Sequence, residues 1–251
     1  MSGERVGVLA GRSPRVGIYI PSFGDGGVER MLVNLARGFA DEGVRVDLLV
    51  RKTSAPYLGS LPAAVHVRAQ AARGPRGLRR ELIAYLRQEQ PDILMSAKGP
   101  DDRIAIAARR RAGVPTRFFL RTGTNLSGRL AARRFNPLRR WWRRWAVRRL
   151  YRQADGVICV SQGVAEDLAG VADLPAERLQ VIRNPVVVPE LIQQAEAPVD
   201  HPWLGVAGPP VVLGAGGLRR QKNFALLLGA FARVRATRPA RLLILGEGHL
   251  R

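Results

Sequence analysis

Apolar and polar positions along the chain follow two periods. Short apolar runs predict strands over Arg15–Ile20, Val44–Val50, Ala63–Val67, Asp92–Met95, Thr116–Leu120, Asp155–Ser161 and Leu179–Arg183. Between several of them, apolar residues spaced three and four apart predict helices. These run over Val28–Asp41 (Met31, Leu32, Leu35, Phe39), Leu78–Gln90 (Leu78, Leu82, Ile83, Leu86), Arg103–Ala112 and Gln162–Gly170. Gly43, Pro91 and the Gly113/Pro115 pair supply the stops. Strand and helix in alternation predict an α/β fold, a Rossmann-like parallel sheet over residues 15–185. Residues 1–14 read as a flexible leader, and the proline-rich stretch 186–209 as a linker. From residue 210 the pattern repeats once: strand Val211–Leu213, helix Asn223–Thr237, strand Arg241–Leu245. That is the first β-α-β of a second Rossmann-like domain, too small to stand alone.

Two glycine-rich loops interrupt this pattern where a strand hands over to a helix. The first, after the opening strand, is Gly24-Asp25-Gly26-Gly27 followed by Glu29. The second is Gly214-Ala215-Gly216-Gly217, running into Arg219, Arg220 and Lys222 before Asn223. Strand, glycine turn and helix aim backbone N–H groups and the positive end of a helix at one point. Three side-chain cations at the second loop make it a candidate phosphate or diphosphate site. A solvated basic turn is the plainer alternative there, and a tight βα turn at the first loop. A dinucleotide fingerprint is incomplete at both. Its third glycine would fall on Arg219 and on Glu29, which disfavours an oxidoreductase. Strand carboxyl ends line the ligand crevice of parallel α/β sheets, so Arg121, Thr122, Asn125, Ser161 and Asn184 are positional candidates for its polar groups.

Charge changes the picture more than composition does. Among 251 residues, 46% are hydrophobic, which suits a globular chain, and the net charge is +21. Between Arg103 and Ala154 stand sixteen arginines and no acid. A field of one sign implies an anionic partner. Within this stretch, Ser127–Gln153 is a basic segment with a helical stripe. It carries Leu138, Trp141, Trp142, Trp145 and Leu150 to one side, flanked by Arg140, Arg144 and other arginines. Tryptophan bordered by arginine suits an anionic membrane surface. A core-facing tryptophan stripe with a solvated arginine face is the alternative. Nucleic acid is a weaker candidate, because no recognised reading module appears. No apolar run approaches a membrane span, and the N-terminus does not read as a signal peptide. The lone Cys159 reads as a buried strand residue, and His66 as a surface or edge residue. A cytoplasmic setting follows.

Four segments taken together resemble the retaining nucleotide-sugar glycosyltransferases of family 4, whose GT-B fold has two facing Rossmann-like domains. They are GDGGVERMLVNLARGF, ADGVICVSQGVAEDL, ERLQVIRNPV, and GGLRRQKNFALLLGAF with RLLILGEG. The resemblance implies an acceptor-binding N-terminal domain and a C-terminal domain that binds a nucleotide-sugar donor. Lys222 matches the family lysine that contacts the donor diphosphate, and Gly26 and Gly27 match the glycine loop of the cleft. The family arginine of a G-R-L triplet is replaced by Gly217 within Gly216-Gly217-Leu218. Arg121-Thr122-Gly123 stands where many members have a histidine, so no catalytic residue is carried over. The family's acidic E-x7-E pair falls after Arg251, so the chain reads as C-terminally truncated. The resemblance implies sugar transfer with retention to a lipid-linked or glycan acceptor, in cell-envelope polysaccharide synthesis at the inner face of the membrane. No D-x-D cluster appears; a metal-independent mechanism without cofactor is expected.

Overall fold

The computed structural model describes residues 12–131, 137–204 and 207–251. It divides into two compact units, Met1–Val188 and Pro189–Arg251.

The first unit is built on β1 (Arg15–Tyr19), whose five residues are all buried. Around it lie β2 (Arg45–Val50), β3 (Val65–Ala69), β4 (Ile93–Ser96), β5 (Arg117–Thr122), β6 (Gly156–Cys159) and β7 (Leu179–Val181). All pair in parallel, in the order β3-β2-β1-β4-β5-β6-β7. The helices are α1 (Gly27–Asp41), α2 (Pro75–Glu89), α3 (Gly99–Ala112), α4 (Leu126–Ala131), α5 (Pro137–Tyr151) and α6 (Gln162–Ala172). Successive side chains on a strand point to opposite faces, so each central strand feeds two cores. Ile18 and Ile20 join Leu32, Ala36 and Leu48 beneath α1. Tyr19 joins Leu82, Leu86, Ala105, Phe118 and Leu168 beneath α2, α3 and α6. The chain winds outward from β1 to β3, then crosses back to β4. The switch point between β1 and β4 is where the crevice of such a sheet opens.

This is the expected Rossmann-like α/β fold, with local differences. Strand β5 runs two residues past the predicted end, because Arg121 and Thr122 pair with Ile158 and Cys159 of β6. Helix α3 begins at Gly99, four residues before the predicted start. The Pro100-Asp101-Asp102 run that reads as loop is its first turn. The described residues of the basic segment 127–153 are helical over α4 and α5, and the tryptophan stripe lies on α5. Cys159 is buried and unpaired, and His66 is exposed on the edge strand β3.

In the second unit β8 (Val211–Ala215) and β9 (Arg241–Leu245) pair in parallel, with α8 (Phe224–Arg235) between them in sequence. A short helix, α7 (Pro189–Ala195), occupies part of the stretch expected as linker. Of the described residues in this unit only Ala240 is buried. Leu213, Leu226 and Leu228 are each more than half exposed.

Candidate functional site

Two loops meet at the switch point of the first unit. One follows β1 through Ser22, Gly24 and Gly26; the other follows β4 through Lys98 into α3. Glu29 lies in the first turn of α1 with only 4% of its surface exposed. Its carboxylate turns back toward the glycine loop and accepts from the Gly24 N–H at 3.1 Å. A Cβ at Gly26 would stand 2.9 Å from Glu29 Oε2, so that glycine makes room for the carboxylate. Lys98 donates to Glu29 and to the Ser22 carbonyl, the latter at 2.8 Å. The loop that reads as a cradle for an outside anion thus holds one of its own, with a counter-charge from the loop after β4. Gly27 is exposed, with open space where a side chain would be.

Beside this pair, Ser22 Oγ donates to Asp101 Oδ2 at 2.8 Å, and Ser96 Oγ donates to Asp102 Oδ1 at 2.6 Å. Burial pushes the Asp101 carboxyl up, against the pull of Ser22 and Lys98. Ser22, Lys98, Asp101 and Asp102 are site residues that the sequence reading missed. Pro at the start of a helix followed by acids in the first turn is a helix-start signal, and Gly99-Pro100-Asp101-Asp102 carries it.

The positional candidates separate. Arg121 and Thr122 are both buried at the carboxyl end of β5. Arg121 Nη2 donates to Asn184 Oδ1 at 2.8 Å, which brings those two together across β6. Asn125 is exposed just before α4. Ser161 caps α6, its hydroxyl accepting from the Val164 N–H at 3.4 Å. A helix cap of this kind is structural work.

In the second unit the basic loop folds as a 3-10 turn, Arg220–Lys222, before α8. Gly216 has φ +150, and the aliphatic part of Lys222 lies over it, with Cε 3.4 Å from the position of a Cβ. Gly216 N–H donates to the Leu245 carbonyl at 2.9 Å and Leu218 N–H to that of Glu247 at 2.9 Å, tying the loops after β8 and β9 together. A Cβ on Gly246 (φ +153) would fall 1.9 Å from the Gly216 oxygen, a contact only glycine permits. Gly217 lies beside Arg219 and the Glu247 carbonyl. Arg219, Arg220 and Lys222 are exposed, and among the described residues none is paired with a carboxylate. Three exposed cations thus stand on one glycine-pinned turn without a carboxylate partner among the described residues.

Comparison with known proteins gives the family and the fold. The family model of Glycosyltransferase Family 4 matches residues 25–188, from the glycine loop to the end of the first unit. The chain belongs to glycosyltransferase family 4. Among solved structures it is similar in fold to sucrose-phosphate synthase from Thermosynechococcus elongatus, with a TM-score of 0.64 and 17% identity, covering 93% of this chain and 62% of that one. Anabaena Alr3699/HepE in complex with UDP gives 0.62 and 18%, covering 94% and 61%. The apo form of the lipopolysaccharide outer core galactosyltransferase WaaB gives 0.58 and 15%, covering 94% and 61%. This family 4 chain spans about 61% of the length of the last two. No curated protein sequence matches it.

The basic segment of this family 4 chain is divided in its role. Val147, Leu150 and Tyr151, at the end of α5, pack on the core. Leu138, Trp141, Trp142 and Trp145 do not; they are 63%, 57%, 53% and 44% exposed. The tryptophan stripe is therefore outside the core, and only its Leu150 end faces inward. The rings contact each other edge-on, with centroids 5.2 and 5.6 Å apart. Arg149 lies over Trp145 at 5.5 Å. Arg144 turns toward α6 and donates to the Gly170 carbonyl at 3.3 Å. The Arg140 side chain lies outside the described residues. Among the described residues no helix is long and apolar enough to cross a membrane, and no group of three His, Cys, Asp or Glu residues could hold a metal ion.

Proposed function

We propose that this family 4 chain takes part in transferring a sugar, with retention and without a metal, from a nucleotide-sugar donor to a lipid-linked or polysaccharide acceptor. The observation that carries the reading is the uncompensated Arg219, Arg220 and Lys222 cluster on the glycine turn after β8. A departing nucleoside diphosphate gains negative charge as the glycosidic bond breaks, and cations fixed where that charge develops lower the barrier. Anabaena Alr3699/HepE, similar in fold, has been solved with UDP and with UDP-glucose, which supports a nucleotide-sugar as donor. Gly24, Gly26, Gly27 and the Glu29–Lys98 pair shape the crevice of the first unit, where the acceptor binds. Replacing Lys222 by Ala in the enzyme is expected to lower kcat about 10²–10³-fold, the usual cost of one charge-stabilising group. A steady-state assay of nucleoside diphosphate release reads this; unchanged turnover removes Lys222 from the reaction.

A second reading has its own observation. The exposed Trp141, Trp142 and Trp145 beside arginines suit docking on an anionic membrane from the cytoplasmic side, either to reach a lipid-linked acceptor or as a binding module without catalysis. Co-sedimentation with vesicles is expected to be strong with anionic lipid and weak with neutral lipid. It should weaken with salt and fall on replacing the three tryptophans by alanine. Equal sedimentation of the variant would sink the role of this helix. Binding without any turnover of nucleotide-sugars would leave only the docking role.

A further inference from the structure

Arg121 is the one described arginine whose burial has no electrostatic explanation. Only 9% of it is exposed, at the carboxyl end of β5. Its Nη2 donates to the neutral Asn184 Oδ1 at 2.8 Å, and its Nε is buried with no acceptor. Among the described residues no carboxylate pairs with it, and burial alone pulls its pKa down. Arg15, equally buried, shows what a satisfied arginine in this fold looks like: Asp47 lies 2.6 Å from its Nε and Glu89 is at its Nη1. An unpaired buried cation costs several kcal/mol, and a buried donor without a partner costs more again. Among the described residues no carboxylate or acceptor returns either cost.

The absence of a side chain at position 123 keeps the guanidinium uncrowded on that side. Gly123 lies against the guanidinium; a Cβ there would stand 2.9 Å from Nη1 and 3.1 Å from Nη2. Gly123 and Thr124 are exposed, so the residue that lies against the guanidinium is itself at the surface. Asn184, which follows β7, fixes the fork from the other side and adds no charge.

We propose that Arg121, steered by Asn184 and left accessible by Gly123, is an oxyanion-binding site that selects an acceptor carrying a phosphate or carboxylate group. This rests on the first unit binding the acceptor. A planar guanidinium with free N–H groups matches either oxyanion, and its desolvation strengthens the pairing. A neutral glycan would leave the charge uncompensated.

The test is thermal unfolding of the full chain at constant ionic strength, titrated with inorganic phosphate or with acetate against chloride. Because Lys222 is a second anion site, the titrations are run in the Lys222→Ala background. A saturable rise in Tm is expected with phosphate, with acetate or with both, and the pattern tells phosphate from carboxylate recognition. Arg121→Met should abolish the rise while leaving the anion-free Tm equal or higher, since the buried charge is gone. Should Arg121→Met fail to fold, Asn184→Ala keeps the charge, removes its one hydrogen bond, and should weaken the apparent anion affinity about fivefold. No rise in the background chain, or an undiminished rise in both variants, overturns the proposal. If anions act through Arg121 but no nucleotide-sugar is turned over, the transferase reading fails and the site stands. If neutral and anionic acceptors are used equally and no anion effect is seen, the site fails and the transferase stands.

Discussion

Glu29 shows how one side chain alters the meaning of a motif. A glycine loop leading into a helix is an open invitation to an anion, and its backbone donors are the attraction. In this chain the carboxylate three residues inside α1 accepts the Gly24 N–H and is neutralised by Lys98. Replacing Glu29 by Ala strands that donor and the ammonium and is expected to cost about 1–3 kcal/mol. Glu29→Gln keeps the hydrogen bond and should cost less. Urea unfolding midpoints of the two variants read the difference; equal midpoints would mean that the carboxylate does not hold the loop. The loop and its glycines were legible in the sequence, because glycine spacing is a local signal. The turn of Glu29 toward them was not, since it depends on Lys98, sixty-nine residues away. For the same reason Arg121 was legible as a residue at a strand's carboxyl end, whereas the absence of a carboxylate partner for it among the described residues was not. That property belongs to everything around it.

Among the elements, β1, β2, β3 and α2 are joined by a buried charge network at Asp47. Its Oδ2 accepts from Arg15 Nε at 2.6 Å and from the Tyr85 hydroxyl at 2.9 Å, and its Oδ1 from Arg68 Nε at 3.0 Å. Burial pushes the Asp47 carboxyl up, but the hydrogen bonds from Arg15, Tyr85 and Arg68 outweigh it and hold the pKa below the ordinary carboxylate value. A depressed acid contributes stability that is present above its unfolded pKa, near 3.9, and is lost as pH falls through the folded value. Asp101, pushed up by burial, acts in the opposite sense and favours the fold on its protonated side. Asp47→Asn leaves Arg15 with Glu89 as its remaining counter-charge and is expected to cost about 3 kcal/mol at neutral pH, with the gap to the natural chain narrowing below about pH 4. Unfolding at pH 7 and pH 3 measures this; a gap independent of pH would show that the charge is not the cause. The apolar runs gave most of these strands and helices to within a few residues. They ended β5 early because strand pairing, not hydrophobicity, carries it through Arg121 and Thr122.

For the molecule as a whole, stability is unevenly distributed. The first unit buries two cores on either face of seven strands, whereas the second has two strands, one long helix and a single buried described residue. Amide protection follows buried contacts. Hydrogen exchange should therefore be slowest in β1, β2, β4 and β5, and orders of magnitude faster in β8, β9 and α8. Comparable protection in both units would mean that the apolar faces of Leu213, Leu226 and Leu228 are covered in solution.

The position of β1 has a further consequence for the order in which the chain can assemble. It is made first among the strands yet ends between β2 and β4, and Ile18 meets its partner Met95 only after seventy-seven more residues. At about 5–20 residues per second, a ribosome takes roughly 4–15 seconds to supply that neighbour. Throughout that interval one edge of the most buried strand has no partner of its own. A nascent chain in this state is a natural client for chaperones that bind apolar segments, and its yield will depend on how fast codons 20–95 are read.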